Sequence, residues 1–349
     1  MKKIRFGIIC PSDIAMRRFL PAAKSLDQME FIGVGINSVE ERYGEHRPKT
    51  DVVESMLFNE RKRAEDIVRL YGGRIFNSYQ EIVTSPEIDA MYIPLPPALH
   101  YKWAKKALEC NKHVLVEKPA TINLENTDEL ISIAQSKKLA LHENYMFVFH
   151  NQIKTITDII NSGEIGEVRL YRISFGFPLR ENTDFRYNKL LGGGSLLDAG
   201  GYTIKLASYL LGDTAKIMYA FLNNLDTFEV DMYGSGALIN NDGVTAQIAF
   251  GMDNDYKCEL EVWGNKGTLY TGRVLTAPAG FEPSVIIKKN GTSNTIDLPS
   301  DDAFKKSIEK FLNCIEDSDE RENNYSLIHR QAENVQAFIE MTKKEVNNV

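Results

Sequence analysis

The sequence predicts an α/β chain in two parts, a parallel sheet covered by helices and then a mostly antiparallel sheet. Three observations carry that expectation. The first third alternates short β-branched or aliphatic runs with longer amphipathic stretches, the pattern of repeated βαβ units. Beyond about residue 150, strand-like runs with period-two alternation follow one another instead. The length of 349 residues fits about two domains, at roughly 150 residues each.

Taken in order, strands are expected at 3–9, 31–36, 89–93, 113–116 and 140–143, with helices near 14–26, 60–71, 97–110 and 123–137 between them. The last of these helices begins at Asn123, an N-cap type, and carries Glu125 and Asp128 where the helix dipole favours negative charge. After the second strand comes a polar run, Ser38 to Asn59, holding Glu40, Glu41, Arg42, Glu45, Arg47, Lys49 and Asp51. Connections there normally take about two to six residues, so this is an insertion: a lid, an interface or a solvated loop.

In the second half, strands are expected at 167–176, 215–224, 228–238, 243–251, 256–263, 267–271 and 284–289. Asn241-Asp242-Gly243 is a hairpin signal, and Phe250-Gly251 reads as a second turn. A helix at 195–211 interrupts these strands, and helices at 301–316 and 325–346 close the chain, the last packing back on the first domain. The domain boundary is placed at 122, giving domains 1–122 and 123–349.

Composition bounds the function. With 43% apolar residues, 26% charged residues and a formal net charge of −7, usage is ordinary for a globular chain and excludes a disordered or repeat-biased one. Such a chain has no general attraction for nucleic acid or anionic lipid, so its partners should be local and site-specific. Cys10, Cys110, Cys258 and Cys314 are dispersed, which supports neither a disulfide framework nor a zinc site. The opening apolar run is broken by Pro11 and Asp13, too early for a secretory signal, and no run approaches the roughly 18 apolar residues of a spanning helix. A cytoplasmic protein without a membrane partner is expected.

A nucleotide phosphate is held where a first strand turns into a helix, because backbone N–H groups and the helix dipole meet it there. Here that turn is Cys10-Pro11-Ser12-Asp13-Ile14, and G-x-G-x-x-G is absent. Pro11 removes a donor, Ser12 adds a side chain and Asp13 brings negative charge. Later motifs supply what the turn lacks. Tyr92-Ile93-Pro94-Leu95-Pro96-Pro97-Ala98-Leu99-His100 is followed by His113-Val114-Leu115-Val116-Glu117-Lys118-Pro119. Then come Gly192-Gly193-Gly194-Ser195-Leu196-Leu197-Asp198-Ala199-Gly200-Gly201-Tyr202 and Glu261-Val262-Trp263-Gly264-Asn265-Lys266-Gly267. In their order and spacing, over nearly the whole chain, these resemble the glucose-fructose oxidoreductase, inositol dehydrogenase and rhizopine catabolism (Gfo/Idh/MocA) family.

The resemblance implies a Rossmann-like, doubly wound domain followed by an α+β domain whose large open sheet mediates homo-oligomerisation, as a dimer or tetramer. It also implies an NAD- or NADP-dependent enzyme oxidising or reducing a sugar or cyclitol. By position, Lys118 matches the lysine of the family's E-K-P motif, and Asp198 and Tyr202 match the acid and the His or Tyr of its D-x-G-x-H/Y motif. Cofactor contacts are implied for Cys10, Pro11, Ser12, Asp13, Ile14, Asn37, Ser38, Pro94, Leu95, His100, Glu117, Lys118 and Asn144. Phe185-Arg186-Tyr187, the Gly-Gly-Tyr ending of the third motif and the stretch from Arg273 to Pro283 are similar to reductases of 3-keto nucleotide-linked deoxysugars. If so, Arg180, Arg186 and Lys205 are candidates to pair with a diphosphate, against a reading as surface charge.

Residue chemistry points the same way. Ketone reduction delivers a hydride to carbon while the oxygen gains a proton, so the site needs a donor and a group that stabilises a developing alkoxide. Tyr202 is the expected donor, with Lys118 stabilising the oxygen and favouring the phenolate, and Asp198 orienting sugar hydroxyls or Lys118. Each has a structural rival: a solvated loop lysine, an amphipathic core tyrosine, a capping or buried acid. His100 reads equally as a structural histidine, and His113 as a core one. At the end of the second strand, Ile36-Asn37 stand where many NADP-using relatives have Ser-Arg, and the NAD-type acid is missing as well. Arg42, Arg47 or Lys49 of the insertion are candidates to reach a 2′-phosphate, which favours NADP(H) over NAD(H). The expected activity is reduction of a sugar keto group, at C3 of a nucleotide-linked deoxysugar. The rivals are an NAD-dependent sugar or cyclitol dehydrogenase and a non-catalytic dinucleotide-binding regulator.

Overall fold

The computed structural model describes residues 3–38, 41 and 50–346. Arg42, Arg47 and Lys49 lie outside the described residues.

The first sheet is built from β1 (Ile4–Ile9), β2 (Met29–Gly35), β3 (Arg74–Phe76), β4 (Ala90–Ile93), β5 (His113–Val116) and β6 (Leu141–Glu143). All its pairings are parallel, in the order β3-β2-β1-β4-β5-β6. Central strands of such a sheet are covered on both faces, which is why Ile8, Ile9 and all of Ala90–Ile93 are buried without alternation. Between the strands run a π-helical turn (Ala15–Phe19) leading into α1 (Leu20–Lys24), then α2 (Thr50–Tyr71), α3 (Tyr79–Thr84), α4 (Pro97–Glu109) and α5 (Leu124–Lys137). In the core Phe19 stacks on Tyr92 and Tyr79 sets its edge against Trp103. The order reverses between β1 and β4, the switch point at which ligands meet the carboxyl ends of the strands.

This first compact unit comprises Met1–Thr121, Glu125–Asn144 and Ser307–Ile328. The boundary expected at 122 falls ahead of α5 and β6, yet Val114 pairs with Leu141, and Leu130 and Ala134 are buried in the same core. The insertion 38–59 ends in helix, since α2 begins at Thr50 rather than 60.

The second compact unit comprises Ile122–Leu124, Tyr145–Lys306 and His329–Val349. Its strands are β7 (Val168–Gly176), β8 (Lys216–Asn224), β9 (Asp231–Ile239), β10 (Thr245–Gly251), β11 (Lys257–Gly264), β12 (Thr268–Gly272), β13 (Ser284–Lys289) and β14 (Thr292–Asp297). They form one sheet in the order β14-β13-β12-β11-β7-β10-β9-β8, antiparallel except where β7 meets β10. Asn241-Asp242-Gly243 is the expected hairpin turn, but Phe250-Gly251 is not a turn: both residues lie inside β10, paired with Phe175 and Gly176. α6 (Asn151–Asn161) precedes the sheet, and a π-helical turn (Leu196–Gly200) leads into α7 (Gly201–Leu211), which packs on β7, β9 and β10. α8 (Ala303–Glu316) and α9 (Ser318–Val346) end the chain. α9 starts before the expected 325 because Asp317 Oδ1 accepts from Asp319 N and Glu320 N. Its Asn324 and Tyr325 donate to the carbonyls of Leu141 and Leu139. Among the described residues no helix is long and apolar enough to cross a membrane.

Candidate active site

In the first unit the residues flagged for cofactor binding follow the carboxyl ends of five adjacent strands. β1 ends at Ile9, and Cys10 takes a left-handed conformation (φ 73°), where the dinucleotide fingerprint places its first glycine. Cys10 N donates to Gly35 O, Ser12 N turns back to Cys10 O, and Ser12 Oγ accepts from Ala15 N at 3.2 Å. The turn is therefore made without glycine, and its serine caps the helix. Asp13 lies 2.6 Å from Arg17, which offsets the negative charge that counted against a pyrophosphate here. The first N–H groups of a helix lack partners inside it, so this helix start at the switch point fits a dinucleotide phosphate.

At the end of β2, Asn37 N donates to the buried carboxylate of Glu60 (3.0 Å) and Ser38 N to Glu41 (2.9 Å). Glu41 also accepts from Tyr79 N and Gln80 N. After β4 come Pro94 and Leu95. His100 is fully buried, with Nε2 at 2.6 Å from Leu95 O and Nδ1 at 2.7 Å from Pro119 O. Burial pushes its pKa down to about 4, so the ring is a neutral tie between the loops after β4 and β5. His113 accepts from Ala140 N through Nδ1 and is likewise pushed down to about 4 by burial, in keeping with its structural reading.

Glu117 Oε1 accepts from Tyr92 Oη and from Asn144 Nδ2, both at 2.7 Å, and Asn144 Oδ1 accepts from Ser307 Oγ. These bonds, with Glu117 N donating to Ile93 O, fix the backbone that presents Lys118. Burial pushes the Glu117 carboxyl above its ordinary range, while Asn144, Tyr92 and Lys118 pull the other way.

In the second unit, Tyr202 stands in the first turn of α7 with 8% of its surface exposed. Its ring meets Tyr145 edge-on (5.2 Å), Phe147 (5.7 Å) and Phe175 (5.4 Å). A side chain at Gly201 has no room, because its Cβ would lie 2.2 Å from Tyr145 Oη. Gln331 Nε2 donates to Gly201 O and Lys205 Nζ lies 5.8 Å from the Tyr145 ring. Asp231, from β9, holds the start of the π turn: its Oδ2 accepts from Ser195 Oγ and Leu196 N, both at 2.7 Å.

Asp198 accepts from Arg186 Nε at 2.7 Å, and Arg186 Nη1 reaches Asp184 at 3.1 Å. Burial opposes the Arg186 charge, yet the two carboxylates outweigh it and hold the guanidinium above its ordinary range. Arg186, a candidate to pair with a diphosphate, carries its charge between these two acids, and its Nε bond fixes the Asp198 carboxylate. Arg180 is exposed, its guanidinium 5.0 Å from the Phe177 ring, which in turn meets Phe175. The unit thus gathers Asp198, Tyr202, Lys205 and Arg186 on or against one helix, with Arg180 at the rim. Sequence reasoning missed Tyr145, Phe175, Asp231 and Gln331, whose contacts with the Ser195–Tyr202 segment are remote in the chain.

Residues 28–145 match a family model described as an oxidoreductase family with an NAD-binding Rossmann fold, and residues 153–270 match the GFO/IDH/MocA C-terminal domain. The dTDP-3,4-didehydro-2,6-dideoxy-α-D-glucose 3-reductase of Saccharopolyspora spinosa is 33% identical over 314 residues, 90% of this chain and 88% of that one. The reductase of the same description from Actinomadura kijaniata is 34% identical over 312 residues, 89% and 87% of the two chains. The crystal structure of a 3-ketoreductase from Actinomadura kijaniata with NADP and TDP-benzene superposes with a TM-score of 0.87 at 33% identity, covering 96% of this chain and 97% of that one.

Proposed function

Because this chain belongs to the GFO/IDH/MocA oxidoreductase family, we propose that it reduces the 3-keto group of a dTDP-linked deoxysugar, with NADPH as the hydride donor. What carries the substrate class is similarity to 3-reductases of that kind across nine-tenths of the chain. NADPH, when bound, supplies the hydride; the remaining steps belong to the protein.

The Cys10–Ile14 turn receives the pyrophosphate, Asn37 and Ser38 serve the adenosine end, and Pro94, Leu95 and Asn144 line the crevice. Arg42, Arg47 and Lys49 are the candidates for the 2′-phosphate. Lys118 stabilises the charge developing on the carbonyl oxygen, and the Tyr202 hydroxyl gives that oxygen its proton. Asp198, held by Arg186, orients the sugar. The same reading makes the enzyme a homo-oligomer that pairs through the open face of its second sheet.

The test is steady-state kinetics with NADPH and a 3-keto dTDP-sugar. The proton is needed only in the transition state, so Tyr202→Phe should lower kcat by about 10²–10⁴-fold and leave KM nearly unchanged. A kcat equal to that of the parent enzyme removes Tyr202 from the mechanism. NADPH binding without turnover on any keto sugar would favour a regulator instead.

A further inference from the structure

We propose that Arg273 is a further substrate-binding residue, donating its guanidinium N–H groups to the diphosphate of the nucleotide sugar; this rests on the nucleotide-sugar reading above. Arg273 follows β12 with a φ of 52°, a left-handed conformation that residues with side chains rarely adopt. Backbone outliers of this kind gather at ligand sites. Its Nε is buried and has no hydrogen-bond partner among the described residues. The guanidinium carbon lies 5.3 Å from the centroid of Tyr256 and 5.8 Å from that of Phe281. Ring contacts of this kind steady the cation and leave its N–H edges open for an anion.

The neighbourhood carries a second, independent sign. Gln152, 1% exposed, donates from Nε2 to the carbonyl of Val274, the residue after Arg273, while its Oε1 is buried without a partner. Unmatched buried polar atoms are rare in native folds and call for a ligand or water.

Strand register places Arg273 relative to Tyr202. Glu259 of β11 pairs with Gly272, and Val274 N donates to Cys258 O, so Arg273 is level with Cys258. Cys258 pairs with Phe175 of β7, and the Phe175 ring touches Tyr202. Cys258 and Phe175 share a row on the face that carries Tyr202, and the Arg273 guanidinium rests on Tyr256, two residues from Cys258. Two strand steps separate the Arg273 and Phe175 backbones, about 10 Å. That keeps both residues within reach of one nucleotide sugar. Arg186, whose charge two acids already match, leaves this role open.

The test is calorimetric binding of thymidine diphosphate and of NADPH to the full-length parent, Arg273→Gly and Arg273→Met. Both variants should bind thymidine diphosphate about tenfold or more weakly, as the loss of a charge-assisted bidentate contact requires, and bind NADPH as the parent does. Glycine tolerates the positive φ, so Arg273→Gly should not lower the melting temperature by way of backbone strain. Methionine keeps an apolar stem against the two rings. Parent-like thymidine diphosphate affinity in either variant overturns the assignment of Arg273 and leaves the nucleotide reading standing. A parent protein that binds no thymidine diphosphate overturns the nucleotide reading and this proposal with it.

Discussion

At the scale of single residues, the site in the first unit depends on a carboxyl that the fold prefers protonated. The raised pKa of Glu117 means that its contribution favours folding at low pH and is lost as pH rises from the ordinary value of 4.5 through the raised folded value. Glu117→Gln removes the titration and keeps an oxygen to accept from Tyr92 and Asn144. In urea unfolding from about pH 4 to 8, the parent should lose stability relative to this variant as pH rises. A pH-independent difference would show that the buried charge carries no penalty. Arg186→Met makes the opposite test in the second unit, because it removes the cation facing Asp184 and Asp198, whose side chains are 16% and 13% exposed. Breaking a buried pair of this kind costs about 3–5 kcal/mol. A thermal melt unchanged from the parent would mean that solvent compensates both acids. Lys118, Asp198 and Tyr202 could be nominated from the sequence because each sits in a compact motif. That Arg186 meets Asp184 and Asp198 could not, since a sequence does not show which charge an arginine meets first.

At the scale of elements, the turn before α7 is held from outside by a strand. Asp231 is pushed above the ordinary carboxylate range by burial, against its bonds from Ser195 and Leu196. Gly194 has a φ of 120°, and a Cβ there would come within 2.4 Å of Asp231 Oδ1. Asp231→Ala should cost about 1–2 kcal/mol as a lost cap. Asp231→Asn, which keeps an acceptor without a buried charge, should retain most of the stability. Gly194→Ala should lower both melting temperature and kcat, because it strains the backbone and displaces the cap that aligns Tyr202. Equal melting of Asp231→Ala and the parent would dismiss this cap. The elements that sequence reading missed share a reason. In α6, Ile153, Ile156 and Ile159 are buried at helical spacing, but Thr155, Thr157 and Ile160 dilute the pattern with β-branched residues that favour strands. β14 buries almost nothing and is a strand only because β13 offers it an edge, so it has no alternation to read. β3 has three residues, too few for any period.

At the scale of the whole molecule, the second sheet has one face under α7 and one face open. Pairing aligns Tyr219, Ala237, Gln247, Arg172, Glu261 and Tyr270 in one row across six strands on the open face. Phe221 and Trp263 lie two residues along from that row and share its face. Trp263 is 50% exposed, Tyr219 43% and Phe221 41%, while Arg172 joins Glu261 at 2.8 Å and sits 5.4 Å from the Trp263 ring. Large exposed rings that share one sheet face are where a contact between two copies is to be tested, and a stable dimer needs about 1,000 Å² or more of buried area. Two-fold pairing sets the same patch against itself, so one substitution acts twice in each interface. Phe221→Asp combined with Trp263→Asp buries two new charges per subunit if the faces meet, and it leaves the opposite, helix-covered face untouched. Light scattering after gel filtration should therefore give a multiple of the chain mass for the parent and the single chain mass for the double variant. Unaltered mass in the variant, or a monomeric parent at micromolar concentration, would mean that the open face is solvent-exposed in the working enzyme.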